Sequence, residues 1–142
     1  MQFFVKLDFE NFIVVLVDSV ISILYVEDNY GFVKLVKEIL SLGNSEFEVE
    51  NSPDLETAVS LLKDNSFDLI LLDLGLPDSQ GVETYFEIKK ISGDLPIIIF
   101  SSSQNRFNID KLLKNGAEDY IVKDSDEMFS MKKTIQRILE SR

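Results

Sequence analysis

LILLDLGLPDSQG, residues 69–81, is the stretch whose reading decides the fold. With Phe67 just before it, Leu69 to Leu72 makes a nearly continuous apolar run. A run of that kind marks a central parallel strand covered on both faces, where a half-exposed strand would alternate. Asp73 ends it, and the loop that follows leads into a helix from about Val82 to Ile91, stopped by Gly93. Strand, acid, loop and helix form a unit that recurs on either side. Upstream, Ile21 to Val26 ends in Glu27 and Asp28, and helix Tyr30 to Leu42 carries Phe32, Leu35, Val36, Ile39 and Leu40 on one face. Gly43 is placed to close that helix in a left-handed turn. Phe47 to Glu50 reads as a short strand, with Ser52 as N-cap, Pro53 at the first helical position, and Leu55, Ala58, Val59 and Leu62 as a buried helical face. Downstream, Pro96 opens the strand Ile97 to Phe100, which ends in Ser101. A fourth helix turns Ile109, Leu112 and Leu113 inward and stops at Gly116. Asp119 to Val122 is the last strand and ends at Lys123; Met128, Met131, Ile135 and Ile138 line a terminal helix.

Five strands alternating with five helices predict an α/β protein with helices on both faces of a parallel sheet. The expected architecture is a doubly wound five-stranded sheet of order 2-1-3-4-5, the flavodoxin-like arrangement, with the first strand at the topological switch point beside the third. In 142 residues one domain is expected, and no repeat, low-complexity tract or Pro/Gly-rich linker interrupts the pattern. The domain is placed at residues 21–142 and an N-terminal extension at 1–20. Within that extension Phe3 to Glu10 partly alternates, and Phe12 to Val17 is an unbroken apolar run stopped by Asp18. The run is too short to span a bilayer, and Lys6 followed by Asp8 and Glu10 does not make a secretory signal. An extra edge strand, a partner-covered segment and a start codon placed too early all fit it.

Composition narrows the chemistry. There is no Cys and no His, which removes disulfides, thiolate metal sites and the commonest general base, so any metal is hard and oxygen-bound. A formal net charge of -11 argues against nonspecific attraction to nucleic acid or anionic lipid and points to proteins and cations as partners.

In the expected topology Glu27, Asp28 and Asp73 share one crevice at the carboxyl ends of the strands. Like charges so close raise each other's proton affinity, and a divalent cation offsets the cost. Mg²⁺ suits such a set, because it uses one or two carboxylates, several waters and substrate phosphate oxygens; Mn²⁺ is expected to substitute. Lys123 can pair with phosphoryl oxygens as a point charge, and Ser101 can donate its hydroxyl to another. Central in the sheet, Asp73 is the natural nucleophile for an acyl phosphate. Phosphoryl transfer needs mainly positioning and charge stabilisation, so neither His nor Cys is required.

At these residues the chain closely resembles the receiver domain of two-component response regulators, from Ile21 to about Ile138. The motifs are the acidic pair in LYVEDN, the acid in LILLDLGLPDSQG, the hydroxyl in PIIIFSSS and the lysine in GAEDYIVKD, in order and at family-like spacing. The resemblance implies that Asp73 is the phosphorylated aspartate and that Glu27 and Asp28 bind Mg²⁺, with the Gly75 backbone carbonyl completing the metal site. It likewise implies Ser101 as the switch hydroxyl, Lys123 as the phosphate-pairing lysine, and Tyr120 as the aromatic that changes rotamer on activation. The partners so implied are a sensor histidine kinase or phosphotransfer protein and a downstream protein target, with a phosphorylation-linked homodimer as a further expectation. The function implied is a cytoplasmic signalling switch rather than a turnover enzyme, with no direct contact to nucleic acid or membrane. Each residue has a plainer role available. Glu27 and Asp28 can cap the first helix, Lys123 can be a surface lysine, Ser101 can bond locally, and Tyr120 can be half-buried core.

Two other classes compete. A haloacid-dehalogenase-like phosphatase or phosphotransferase also uses a strand-end aspartate and Mg²⁺, but Gly75 stands where its second acid belongs; a non-phosphorylated pseudo-receiver would have lost site residues that are all present. No glycine-rich nucleotide loop of the GxxxxGK[ST] or GxGxxG type follows the first strand. The chain departs from the family pattern after Lys123, where Asp124 replaces the usual Pro. A trans bond is expected there, with Asp124 available as an N-cap and Glu127 completing a capping box.

Overall fold

The structure, a computed structural model, describes residues 3–8, 13–18, 20–43 and 46–142. Five parallel strands, β3 (Ile21–Val26), β4 (Phe47–Ser52), β5 (Leu69–Leu72), β8 (Ile97–Ser101) and β9 (Asp119–Val122), form one sheet of order β4-β3-β5-β8-β9. Counted along the chain, that is the expected 2-1-3-4-5.

Side-chain alternation builds two cores, one on each face of the sheet. Ile23 and Tyr25 of β3, Leu69 and Leu71 of β5, and Ile98 and Phe100 of β8 point to one face. There they meet α1 (Tyr30–Ser41) through Val36 and Leu40, and α5 (Met131–Glu140) through Ile135. Leu24, Val26, Ile70, Leu72, Ile97 and Ile99 point the other way, where α2 (Leu55–Asp64), α3 (Val82–Ser92) and α4 (Arg106–Lys114) bring Ala58, Tyr85, Ile88, Ile109 and Leu112. Both faces are thus apolar along each central strand, which is why the sequence shows runs instead of alternation.

Local details differ from expectation. Ser52 ends β4 and does not cap α2; its hydroxyl donates to the Asp54 carbonyl, and Asp54 is the cap, accepting from the Thr57 amide at 2.7 Å. The loop after Asp73 holds a small hairpin, β6 (Gly75–Leu76) paired with β7 (Ser79–Gln80), and Asp78 at its tip accepts from the Leu55 and Glu56 amides of α2 at 2.9 and 3.0 Å. Leu113 is exposed, because Leu112 alone takes the inward position at that turn. The terminal helix divides into a 3-10 turn, Asp126–Ser130, and α5. Asp124 is not its N-cap: the peptide bond is trans as expected, but Asp124 adopts φ 60°, and Ser125 precedes the turn. Gly43 takes φ 79°, the expected left-handed exit from α1.

In the N-terminal extension, β1 (Phe3–Asp8) pairs antiparallel with β2 (Ile13–Asp18), from Phe3 opposite Asp18 to Asp8 opposite Ile13. These two strands make their own two-stranded sheet and do not extend an edge of the main one. Glu10 and Phe12, at the ends of the expected runs, lie outside the described residues. Among the described residues, no helix is long and apolar enough to cross a membrane.

Candidate functional site

Backbone hydrogen bonds carry the sheet ladder one step past the strands and so bring the chemistry to one rim. The Glu27 amide donates to Ser52 O at 2.8 Å, the Asp73 amide to Val26 O at 3.0 Å, and the Lys123 amide to Ser101 O at 2.9 Å. Side chains at these positions follow β3, β5 and β9 directly, so they share the carboxyl edge at the switch point.

Carboxylate oxygens of Glu27, Asp28 and Asp73 all lie within 4.8 Å of one another. Glu27 and Asp73 are buried, whereas Asp28 is exposed and opens the cluster to solvent. Lys123, also buried, hydrogen-bonds Glu27 Oε1 and stands 3.4 Å from Asp73 Oδ2. Glu27 is the most engaged of the acids. Its Oε1 also accepts the Tyr25 hydroxyl at 3.0 Å, and its Oε2 accepts the Asn29 amide at 3.3 Å. Burial pushes the Glu27 carboxyl above its ordinary value and the charge of Asp73 adds to this, while the Lys123 hydrogen bond opposes it. The Tyr25 phenol is likewise raised, by burial first and then by the adjacent Glu27.

Three converging carboxylates beside one ammonium carry an excess of negative charge in a partly buried cluster, and their all-oxygen donor set fits a hard divalent cation. Gly75 sits beside Asp73; a Cβ built on it would stand 3.9 Å from Asp73 Oδ2. Ser101, buried at the end of β8, lines a cleft of about 320 Å³ together with Gly75, Ser103 and Tyr120. Tyr120 is buried too, and its hydroxyl donates to Ser103 O at 2.6 Å. Burial raises its phenol above the ordinary value, against the lowering effect of hydrogen bonds to Ser101 and Ser103. A larger cleft of about 830 Å³ lies at the opposite edge, where Ile21, Phe67 and Pro96 lead into their strands, and holds none of these groups. The acidic cluster and Lys123 line neither cleft, whereas Gly75, Ser101 and Tyr120 line the smaller one.

The structure brings together Glu27, Asp28, Asp73 and Lys123, and it sets Gly75, Ser101 and Tyr120 around the adjoining cleft. Sequence reasoning missed the residues that hold them. Tyr25, two positions before Glu27 on the same side of the chain, was legible from the strand period. Asn51, whose amide donates to the Tyr25 and Glu27 carbonyls at 3.0 and 2.9 Å, had no such signal.

A family model, response regulator receiver domain, matches residues 23–136. The chain belongs to that family. The transcriptional regulatory protein KdpE of Staphylococcus aureus is 35% identical to this receiver over 122 residues, covering 84% of this chain and 52% of KdpE. A CheY-like receiver domain protein from Methanospirillum hungatei JF-1 superposes with a TM-score of 0.75 at 25% identity, covering 87% of this receiver and 96% of that chain. The phosphorylated cyanobacterial phytochrome response regulator RcpA superposes with a TM-score of 0.72 at 29% identity, with 87% and 96% covered. The receiver spans about half the length of the curated relatives it matches. Receiver domains of this family are signalling switches of two-component systems.

Proposed function

We propose that Asp73 accepts a phosphoryl group from the phosphohistidine of a sensor histidine kinase or phosphotransfer protein, and that the product switches a protein-binding surface. The observation that carries this is the meeting of the Glu27, Asp28 and Asp73 oxygens within 4.8 Å, with the Lys123 ammonium 3.4 Å from Asp73. A carboxylate oxygen of Asp73 attacks phosphorus; the O–P bond forms as the N–P bond to imidazole breaks, and the imidazole leaves with the bonding pair and takes up a proton.

Mg²⁺, or Mn²⁺ in its place, would be held by Glu27, Asp28, Asp73 and the Gly75 carbonyl, directly or through water. When bound, the ion neutralises charge on the phosphoryl oxygens and aligns the group. Lys123 supplies the second cation, and its buried position keeps bulk water from competing with it. Ser101 donates its hydroxyl to the new phosphate, drawing in the loop after β8. Because the Tyr120 hydroxyl holds Ser103 of that same loop, Tyr120 moves with it, and the face formed by α4, β9 and α5 changes.

Residues 21–142 are the receiver unit in this proposal and residues 1–20 an added element. The setting is cytoplasmic, the output is a contact with a downstream protein target, and phosphorylation favours a homodimer. The decisive experiment is incubation with acetyl phosphate and Mg²⁺ followed by intact mass. One added phosphoryl group on the wild type and none on Asp73→Asn is the expected result. Labelling of Asp73→Asn at the wild-type rate refutes the acceptor, and sustained turnover of small phosphate esters favours a phosphatase.

A further inference from the structure

Besides Glu27 and Asp73, the Lys123 ammonium meets aromatic rings, the Phe32 centroid at 4.3 Å and the Phe100 centroid at 5.8 Å. These rings brace each other, Phe32 standing edge-on to Phe100 at 6.1 Å, with Tyr25 tilted against Phe100 at 6.2 Å. Phe32 is itself tied to the acidic loop: its amide donates to Asn29 Oδ1 at 3.3 Å, and the Asn29 amide donates to Glu27 Oε2. Glu27, Asn29, Phe32 and Lys123 therefore form a closed ring of contacts.

We propose that Phe32, backed by Phe100, is a positioning residue that seats the Lys123 ammonium against Asp73 for phosphoryl transfer; the role rests on Asp73 being the phosphoacceptor. A lysine head group ends a flexible four-carbon stem, and without a wall it would swing toward water or settle wholly on Glu27. The ring face supplies that wall and attracts the cation through its quadrupole, in a site where the lysine side chain is 7% exposed. Phe32 thus does more than fill the α1 side of the core, where its neighbours Val33 and Val36 are the buried residues.

The test is a double-mutant cycle on the full chain, reading the rate of Asp73 labelling by acetyl phosphate at saturating Mg²⁺. Phe32→Leu is expected to slow labelling roughly three- to tenfold, and Phe32→Tyr to keep it near wild type. In a Lys123→Ala background Phe32→Leu is expected to add nothing, because the ring acts through the ammonium. Equal slowing in both backgrounds, or no slowing in either, overturns the proposal. A second measurement stands apart from phosphorylation: the Lys123 ε-methylene proton resonances are expected upfield in the wild type and downfield of that in Phe32→Leu. Unshifted resonances overturn the seat. Failure of the wild type to label refutes Asp73 as acceptor and leaves the ring-shift result to judge Phe32.

Discussion

Asp73→Asn is expected to stabilise the folded protein in the absence of divalent cations, and the size follows from the site's distances. At an effective dielectric near 20, two buried carboxylates at 4.8 Å, the widest separation in the cluster, repel by about 3.5 kcal/mol. Exposed Asp28 adds about 1 kcal/mol to the repulsion on Asp73 at water-like screening. Against these stands the attraction of Lys123 at 3.4 Å, about 5 kcal/mol on the same scale. The Coulomb terms nearly cancel. What remains is the cost of holding a carboxylate out of water at 6% exposure, which a neutral amide largely escapes. Lys123 keeps Glu27 as its partner in the variant, so no buried charge is orphaned. A net gain of about 1–2 kcal/mol is expected, read as a higher urea midpoint in chelator. Addition of Mg²⁺ is expected to narrow the gap, since in the proposed site the wild type offers the ion one more carboxylate and would gain stability by mass action. If Asp73→Asn unfolds at lower urea than the wild type in chelator, the charge balance drawn for this site is wrong.

Three further outcomes are expected. The folded state raises the Glu27 carboxyl above its ordinary 4.5, so between that value and the raised one the native protein binds more protons than the unfolded chain. Stability in chelator should therefore fall as pH rises through that window, and urea midpoints for Glu27→Gln should show a flatter profile there. Asp78→Ala should cost about 1 kcal/mol by removing two acceptors from the start of α2. Because those bonds lower the Asp78 carboxyl, the difference between the two proteins should be full above the unfolded carboxylate range and vanish as pH falls through the folded value, again by urea titration. At Asp124, φ 60° suits Gly and cannot be reached by Pro, whose ring fixes φ near about −65°. Asp124→Gly should leave the melting temperature unchanged or higher, whereas Asp124→Pro should lose more than about 1 kcal/mol in calorimetry.

The apolar runs at Leu69–Leu72 and Ile97–Phe100, each ending in a residue able to handle a phosphoryl group, determined the doubly wound sheet and the candidate site before any coordinates, because burial on both faces and strand-end placement are written in local residue order. Capping was less legible. Ser52, Asp54 and Asp78 all have the chemistry to cap α2; Asp54 does so locally through the Thr57 amide, and Asp78 does so only because the β6–β7 hairpin carries it to the Leu55 and Glu56 amides. The left-handed turn at Asp124 was hidden for the same reason: aspartate tolerates several backbone conformations, and its neighbours in space choose one. Tertiary structure alone decided that Lys123 is buried, bonded to Glu27 and walled by Phe32, residues about ninety positions away. A sequence states which groups a strand end presents; how a long flexible side chain divides itself between two acids and a ring depends on distances that exist only once the sheet has closed its helices around it.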